Sequence, residues 1–260
     1  MGDGAPGGGG EPRVAIIVQA RMGSTRLPGK VLAPVLGRPL LGYQLERLGR
    51  VRPPVLLIVA TSDGPEGDPI VRFCSTVGVE TFRGSEEDVL ARYAEAAAAA
   101  GADIVVPSTA DCPLIEPGLV DQVVDLVREG DCDYASNTLE RTFPRGLGVE
   151  ALDRRVPEIA AREVTDPAER EHVTAFIYRR PKRFRLCTVT QAPDLSSERW
   201  TVDTADDLEL VRRILEALYP SRPDFGIDAV LELLDANPDW RSLNAYVEQR
   251  PLPVPGREPA

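Results

Sequence analysis

The sequence predicts an α/β fold built on a mostly parallel sheet with helices on both faces. Three observations carry this. Four apolar, β-rich runs each lead into a helical pattern within the first 130 residues, and strands alternating with helices of such length form parallel βαβ units. Two of the runs, RVAIIVQA at 13–20 and VLLIVA at 55–60, are continuously apolar, as befits strands covered on both faces. The 22 glycines and 24 prolines are aperiodic, so they mark turns between elements rather than a repeat.

In chain order, strand 13–20 ends in a basic loop at 21–30 that contains Gly23, Pro28 and Gly29. An amphipathic helix follows at 39–51, with Leu40, Leu41, Leu45 and Leu48 near helical spacing. Strand 55–60 ends in the turn-rich TSDGPEGD. Helix 69–77, short strand 79–82 and helix 85–100 come next, where Ser85 and Asp88 resemble a capping box with Asp in place of Glu or Gln. Strand 103–108 leads through TADCPLIEP to helix 118–128. Residues 131–155, with Pro144, Gly146 and Gly148, read as a small β-rich excursion from the sheet that covers a substrate or meets a second subunit. Helices at 156–162 and 167–180, strands at 184–190 and 199–202, and helices at 205–218, 227–236 and 243–249 complete the reading. The Gly-rich stretch 1–11 and Pro-rich stretch 251–260 are expected to be disordered tails around a single domain, 12–250.

Composition excludes several chemistries. The 260 residues carry a net charge of −11, one histidine and four cysteines. No apolar run approaches the roughly 20 residues of a membrane span, and the start of the chain has no apolar signal core. His172 alone excludes HExxH zincins and C2H2 fingers, and leaves a histidine-based triad little to rest on. The cysteines form no CxxC, which suits reduced thiols and a cytoplasmic protein. The acidic balance speaks against nucleic-acid binding. One window departs from it: residues 12–45 hold Arg13, Arg21, Arg26, Lys30 and Arg38 and no acid.

Ligands of parallel sheets bind at the C-terminal ends of strands. There the sequence places QARMGSTRLPGK, Gln19 to Lys30, whose glycines and three cations suit a polyphosphate cradle. It is neither a Walker A loop, because the glycine spacing is too long and Val31 replaces the Ser or Thr, nor G-x-G-x-x-G. A solvated basic turn is the plainer alternative. In STADCPLIEP, Asp111 follows a strand and suits either a divalent cation beside phosphates or a turn cap; the local sequence fits both. In RWTVDTADDLELV, Thr204 and Asp207 resemble a capping box, which leaves Asp203 free to face a site. Asp131-Cys132-Asp133 is a DxD, a pattern expected by chance among 41 acids, and His172 on a helical stretch packs or caps more often than it catalyses.

IIVQARMGSTRLPGKVL, GSEEDVLARY, TADCPLIEP, YASNTLERTFPRGL, EREHVT and RWTVDTADDLELV, in this order, resemble the SpsF-type cytidylyltransferases of spore-coat polysaccharide biosynthesis, relatives of the CMP-Kdo and CMP-sialic acid synthetases. The resemblance covers about residues 14–218. It implies a Rossmann-like, GT-A-like nucleotidyltransferase fold in three layers. The implied reaction is CTP plus acceptor giving CMP-acceptor and pyrophosphate, with Mg2+ as cofactor, a small acidic acceptor and a homodimeric protein. By the resemblance, Ala20, Arg21, Met22, Gly23, Arg26 and Lys30 look like the triphosphate loop. Gly84, Ser85, Thr109 and Ala110 look like further nucleotide contacts, and Asp111 and Asp203 like the Mg2+ carboxylates. Arg21, Lys30, Asp111 and Asp203 are the implied catalytic set, and Asn137, Arg145 and Glu150 fall on the acceptor side.

The family often has Arg where this chain has Pro107-Ser108, and GLDVE where it reads GLGVE with Gly148. Those departures point to an unusual acceptor: a modified sugar acid, a phosphonate or another specialised metabolite. Three alternatives stand beside this expectation. They are a nucleotidyltransferase for another NTP, a GT-A-like glycosyltransferase using the DxD, and a non-catalytic nucleotide-binding homologue.

Overall fold

The computed structural model describes residues 11–52, 55–171 and 173–248. Of the tails expected at 1–11 and 251–260 all but Glu11 lies outside the described residues, as does His172. The chain begins with β1 (Val14–Gln19), a hairpin of β2 (Pro34–Val35) and β3 (Arg38–Pro39), and α1 (Leu40–Leu48). There follow β4 (Val55–Ser62), α2 (Asp68–Val77), β5 (Glu80–Gly84), α3 (Val89–Ala100), β6 (Ile104–Thr109) and α4 (Pro117–Arg128). The second half holds β7 (Tyr134–Ser136), β8 (Glu150–Asp153), α5 (Arg155–Glu163), α6 (Pro167–Glu171) and α7 (Ala175–Tyr178). β9 (Leu186–Thr188), α8 (Ala205–Leu218), α9 (Ile227–Ala236) and α10 (Pro238–Arg241) complete it.

The seven-stranded sheet has the order β5-β4-β1-β6-β8-β7-β9. Its pairings are parallel except at β8, which runs antiparallel to both β6 and β7. The apolar runs explain the centre. Val14, Ile16 and Val18 of β1 enter one core with α1, α2, α4, α8 and α9. Ala15 and Ile17 enter the other with α3, α5 and α7. The alternation along a strand thus feeds two cores at once, which is why no polar residue interrupts β1 until Gln19.

The segment 131–155 differs from the expected excursion. Its two ends are β7 and β8, inside the main sheet, and the loop 137–149 alone leaves it. Tyr134, Ala135, Ala151 and Leu152 are fully buried there, so burial recruits strands of three and four residues too short to assert themselves locally. The expected strand 199–202 is a single bridge between Arg145 and Arg199. Helix 167–180 is two short helices, α6 and α7. Residues 243–248 are not helical, because Asn244 turns inward, donating its Nδ2 to the Arg199 carbonyl and the Asp207 carboxylate; Gln249 lies outside the described residues. Helix α3 starts later than expected. Asp88 is its N-cap, accepting from the Ala91 N–H, while Ser85 Oγ accepts from the Asp88 N–H.

Candidate active site

The C-terminal ends of β1, β4, β5 and β6 share one edge of the sheet, where the orphan backbone groups of four loops gather. Ala20, 1% exposed, continues β1 by donating its N–H to the Ala60 carbonyl, 2.9 Å. The next loop folds back on itself: the Met22 carbonyl accepts the N–H groups of both Ser24 and Gly29, each at 3.0 Å. Gly29 makes this turn with φ +70°, a region costly for residues with a Cβ. The turn delivers Lys30 back toward the sheet edge, while Arg21 and Gly23 are exposed.

Lys30 Nζ is the hub of the edge. It donates to Asp111 Oδ2 at 3.0 Å, to Asp203 Oδ1 at 2.8 Å and to the Val202 carbonyl at 2.7 Å. Burial lowers the Lys30 pKa, but the two carboxylates outweigh it and raise it, so the ammonium persists. Asp203 also pairs with Arg26 at 3.0 Å and with Arg199 at 2.9 Å. Burial pushes its carboxyl up, yet Lys30, Arg26 and Arg199 hold it below the usual range. The capping box of α8 exists: Thr204 Oγ1 accepts the Asp207 N–H and Asp207 accepts the Thr204 N–H. Asp203 is thereby free to face Lys30, as the sequence suggested.

Asp111 is set by its loop. Thr109 Oγ1 donates to Asp111 Oδ1 at 2.6 Å, and the Asp111 carbonyl accepts the Val202 N–H and the Thr201 hydroxyl. The Ala110 N–H donates to the Gln19 carbonyl, 2.9 Å. A residue the sequence reading passed over does much of the fixing. Fully buried Gln44 of α1 donates to Ser108 Oγ and the Thr109 carbonyl and accepts the Cys112 N–H. Its signal was a lone amide on the apolar face of α1, between Leu41 and Leu45. Arg199 was missed likewise, and with it the buried ion pair that it makes with Asp207, which the sequence offered only as a cap. Burial and the neighbouring Asp111 push the Cys112 thiol well up, which disfavours its thiolate.

Gly84 and Ser85 sit at the end of β5, two strands from β1. A Cβ on Gly84 would lie 3.2 Å from Phe82 and Arg92. Ser85 hands its carbonyl to Arg92 and keeps an exposed side chain over α3. On the other flank, the N-terminus of β8 brings Glu150 to the same edge. Burial pushes Glu150 up, while the Tyr134 and Thr174 hydroxyls and Arg141 pull it down; the net is a raised value. Arg145 is anchored through its backbone, N–H to the Glu198 carbonyl and carbonyl to the Trp200 N–H. Asn137 departs from expectation. It is fully buried, and its amide is engaged by its own loop, Nδ2 to the Leu147 carbonyl and Oδ1 from the Val149 N–H, both 2.8 Å. It shapes the loop from within and offers no amide to an acceptor. The DxD is remote too: Asp133 precedes β7, at the opposite edge, and pairs with Arg185 and Arg155.

Asp111 and Asp203 converge on one cation position, now held by the Lys30 ammonium. Among the described residues no group of three Asp, Glu, His or Cys side chains gathers around a metal position. Two hard oxygen donors suit an ion such as Mg2+, which keeps waters and takes phosphate oxygens for its remaining ligands.

Residues 15–222 match the family model described as cytidylyltransferase. The chain belongs to the cytidylyltransferase family. It is 32% identical over 237 residues to the spore coat polysaccharide biosynthesis protein SpsF of Bacillus subtilis, covering 87% of this chain and 95% of that one. A cytidylyltransferase structure from Leptospira borgpetersenii superposes with a TM-score of 0.83 at 33% identity, covering 88% of this chain and 96% of the other. A 3-deoxy-manno-octulosonate cytidylyltransferase of Geobacter metallireducens is 36% identical over 112 residues, 43% of each chain. This cytidylyltransferase is therefore a CTP-dependent nucleotidyltransferase of Rossmann-like fold. Among the described residues no helix is long and apolar enough to cross a membrane.

Proposed function

We propose that the protein transfers CMP from CTP to a small acidic acceptor in a Mg2+-dependent reaction. The observation that carries this reading is the Lys30 ammonium held between Asp111 and Asp203 beside the basic loop. An acceptor oxygen forms a bond to the α-phosphorus, and the bond from that phosphorus to its bridging oxygen breaks. The electron pair leaves with pyrophosphate, and the acceptor's proton passes to solvent. Such a displacement asks for positioning and charge neutralisation more than for covalent chemistry. Arg21, exposed at the loop mouth, and Lys30 offset charge growing on pyrophosphate, while the backbone around Met22 and Gly23 receives the phosphates. Gly84 and Ser85, on the β5 flank, border the nucleoside. Asp111 and Asp203 would hold a divalent ion, which would supply charge neutralisation and acidify the attacking hydroxyl.

The name of the Geobacter relative supports a sugar acid as acceptor. Pro107-Ser108 and Gly148 favour a modified sugar acid, a phosphonate or a related specialised metabolite. Pyrophosphate release with CTP, Mg2+ and a panel of such acids tests the reading. Turnover with Kdo or sialic acid alone would reject the unusual acceptor, and no turnover with any acid would reject the transferase. UTP, ATP and GTP in place of CTP test the base, and chelation tests the metal. The reading includes a homodimer contacting through loop 137–149, where Leu139 is 38% exposed; light scattering on the protein and on Leu139→Asp tests it. The four free cysteines support a cytoplasmic, reducing location.

A further inference from the structure

Arg92 lies within the string GSEEDVLARY, on the first turn of α3, and takes no part in the transfer step. It is 2% exposed. Its Nη1 donates to the Ser85 carbonyl, while its buried Nε has no partner among the described residues. Gly84 makes room for it, since a Cβ there would lie 3.2 Å from Arg92 Cγ and 3.5 Å from Arg92 Cβ. Burial lowers the Arg92 pKa and the like charge of Arg21 adds to this, against the pull of Tyr93, Glu86 and Asp63. A guanidinium withdrawn from water is costly, and here its printed hydrogen bond goes to one backbone carbonyl at the nucleoside flank.

That bond decides which hydrogen-bonding groups the end of β5 still offers. The Gly84 carbonyl accepts the Asp63 N–H at 3.0 Å, and the Ser85 carbonyl accepts Arg92. The N–H groups of Ser85 and Glu86, both exposed residues, have no partner among the described residues. Ser85 Oγ accepts the Asp88 N–H at 3.1 Å, which leaves its own hydrogen for a further acceptor. The Glu86 carboxylate turns toward the triphosphate loop, where a Cβ on Gly23 would meet its Oε1 at 3.8 Å. The strip is also held still. Asp88 accepts the Ala91 N–H at 3.0 Å and Arg170 Nε of α6 at 2.9 Å. The end of β5 is thus a fixed row of donors whose carbonyls are already taken.

We propose that Arg92 is a positioning residue that closes the Ser85 carbonyl and thereby makes this edge accept cytosine and refuse uracil. The proposal rests on the cytidylyl-transfer reading above, which sets the nucleoside beside Gly84 and Ser85. Cytosine presents two adjacent acceptors, O2 and N3, to the row of donors. Uracil carries a hydrogen on N3, which meets donors and finds no open carbonyl. A second lone pair remains on the Ser85 oxygen, but the guanidinium polarises it and repels another donor's hydrogen. A donor set against donors loses its hydrogen bond and keeps its desolvation cost, the kind of mismatch by which polar sites discriminate strongly.

Calorimetry on the full chain with Mg2+ tests it, using CTP, UTP and 3-deazacytidine triphosphate, in which a C–H replaces N3. The wild type should hold CTP about 10- to 100-fold tighter than UTP, and the 3-deaza compound should fall near UTP. Arg92→Met, apolar and unbranched, frees the carbonyl and should narrow the CTP-to-UTP ratio about 10-fold. Arg92→Lys can still donate and should keep most of the ratio. Melting temperatures identify the folded variants, and the 3-deaza arm needs the wild type alone. Binding of 3-deazacytidine triphosphate as tight as CTP, or of UTP as tight as CTP, by the wild type would overturn it. So would an unchanged ratio in folded Arg92→Met, or the same narrowing in Arg92→Lys. Failure of the wild type to bind either CTP or UTP would instead remove the underlying reading, and the proposal with it.

Discussion

At Lys30 one ammonium, with three N–H donors, serves three acceptors, and two of them are carboxylates at 3.0 and 2.8 Å. Its raised pKa means that its contribution to stability is fully present below the ordinary lysine value and is lost as pH rises through the raised one. The charge is therefore available at any pH where the reaction would run. Lys30→Ala should lower kcat about 10²-fold, the magnitude of a lost transition-state donor, and CTP affinity much less. Steady-state kinetics with a separate binding titration check it, and an unchanged kcat would remove Lys30 from the catalytic set. The place of Lys30 at the sheet edge was legible in the sequence, because a loop with glycines that follows a buried strand must turn there. That of Gln44 was not, since an amide in an apolar stripe looks local while its partners lie 64 and more residues away.

At the scale of elements, the start of α8 is held by one carboxylate. Asp207 is fully buried and accepts from Arg199, Asn244 and the backbone N–H groups of Asp203 and Thr204. Asp207→Asn leaves Arg199 buried with half its counter-charge and should cost about 3–5 kcal/mol, read by urea denaturation. For both Asp203 and Asp207 burial raises the pKa, but Lys30 with Arg26 and Arg199 at the first, and Arg199 with Asn244 at the second, outweigh it to a depressed net value. Their stabilisation is present above the unfolded Asp value of about 3.9 and is lost as pH falls through the depressed values. Melting temperature should therefore drop on the acid side, with a shallower slope in Asp207→Asn. Gly146→Ala should open the contact with Trp200 and Thr201, because a Cβ there meets backbone at 2.6 Å. We expect lower acceptor turnover together with a lower melting temperature, and an unchanged kcat/KM for acceptor would show that the contact does not position the site.

For the whole molecule, β1 is shared by two cores, one on each side of the sheet. Ile17→Ala should cost about 2–5 kcal/mol although it faces the smaller core. Because the strand belongs to both, unfolding should remain one transition, with fluorescence and circular dichroism midpoints coincident. Two separated midpoints would mean that the helical layers unfold independently.

The sequence by itself determined the βαβ order of the first half, the basic loop after β1 and the two aspartates that follow later segments. These are local signals: unbroken apolar runs, glycines in a tight turn and a capping box that accounts for its own residues. Tertiary structure alone decided that β7 and β8 complete the sheet, that Asn137 faces inward and that residues 199–202 form a bridge rather than a strand. The reason is range. Strands of three or four residues gain their stability from neighbours far away in the chain, and a polar side chain is assigned to ligand or loop by which partners the fold brings within reach.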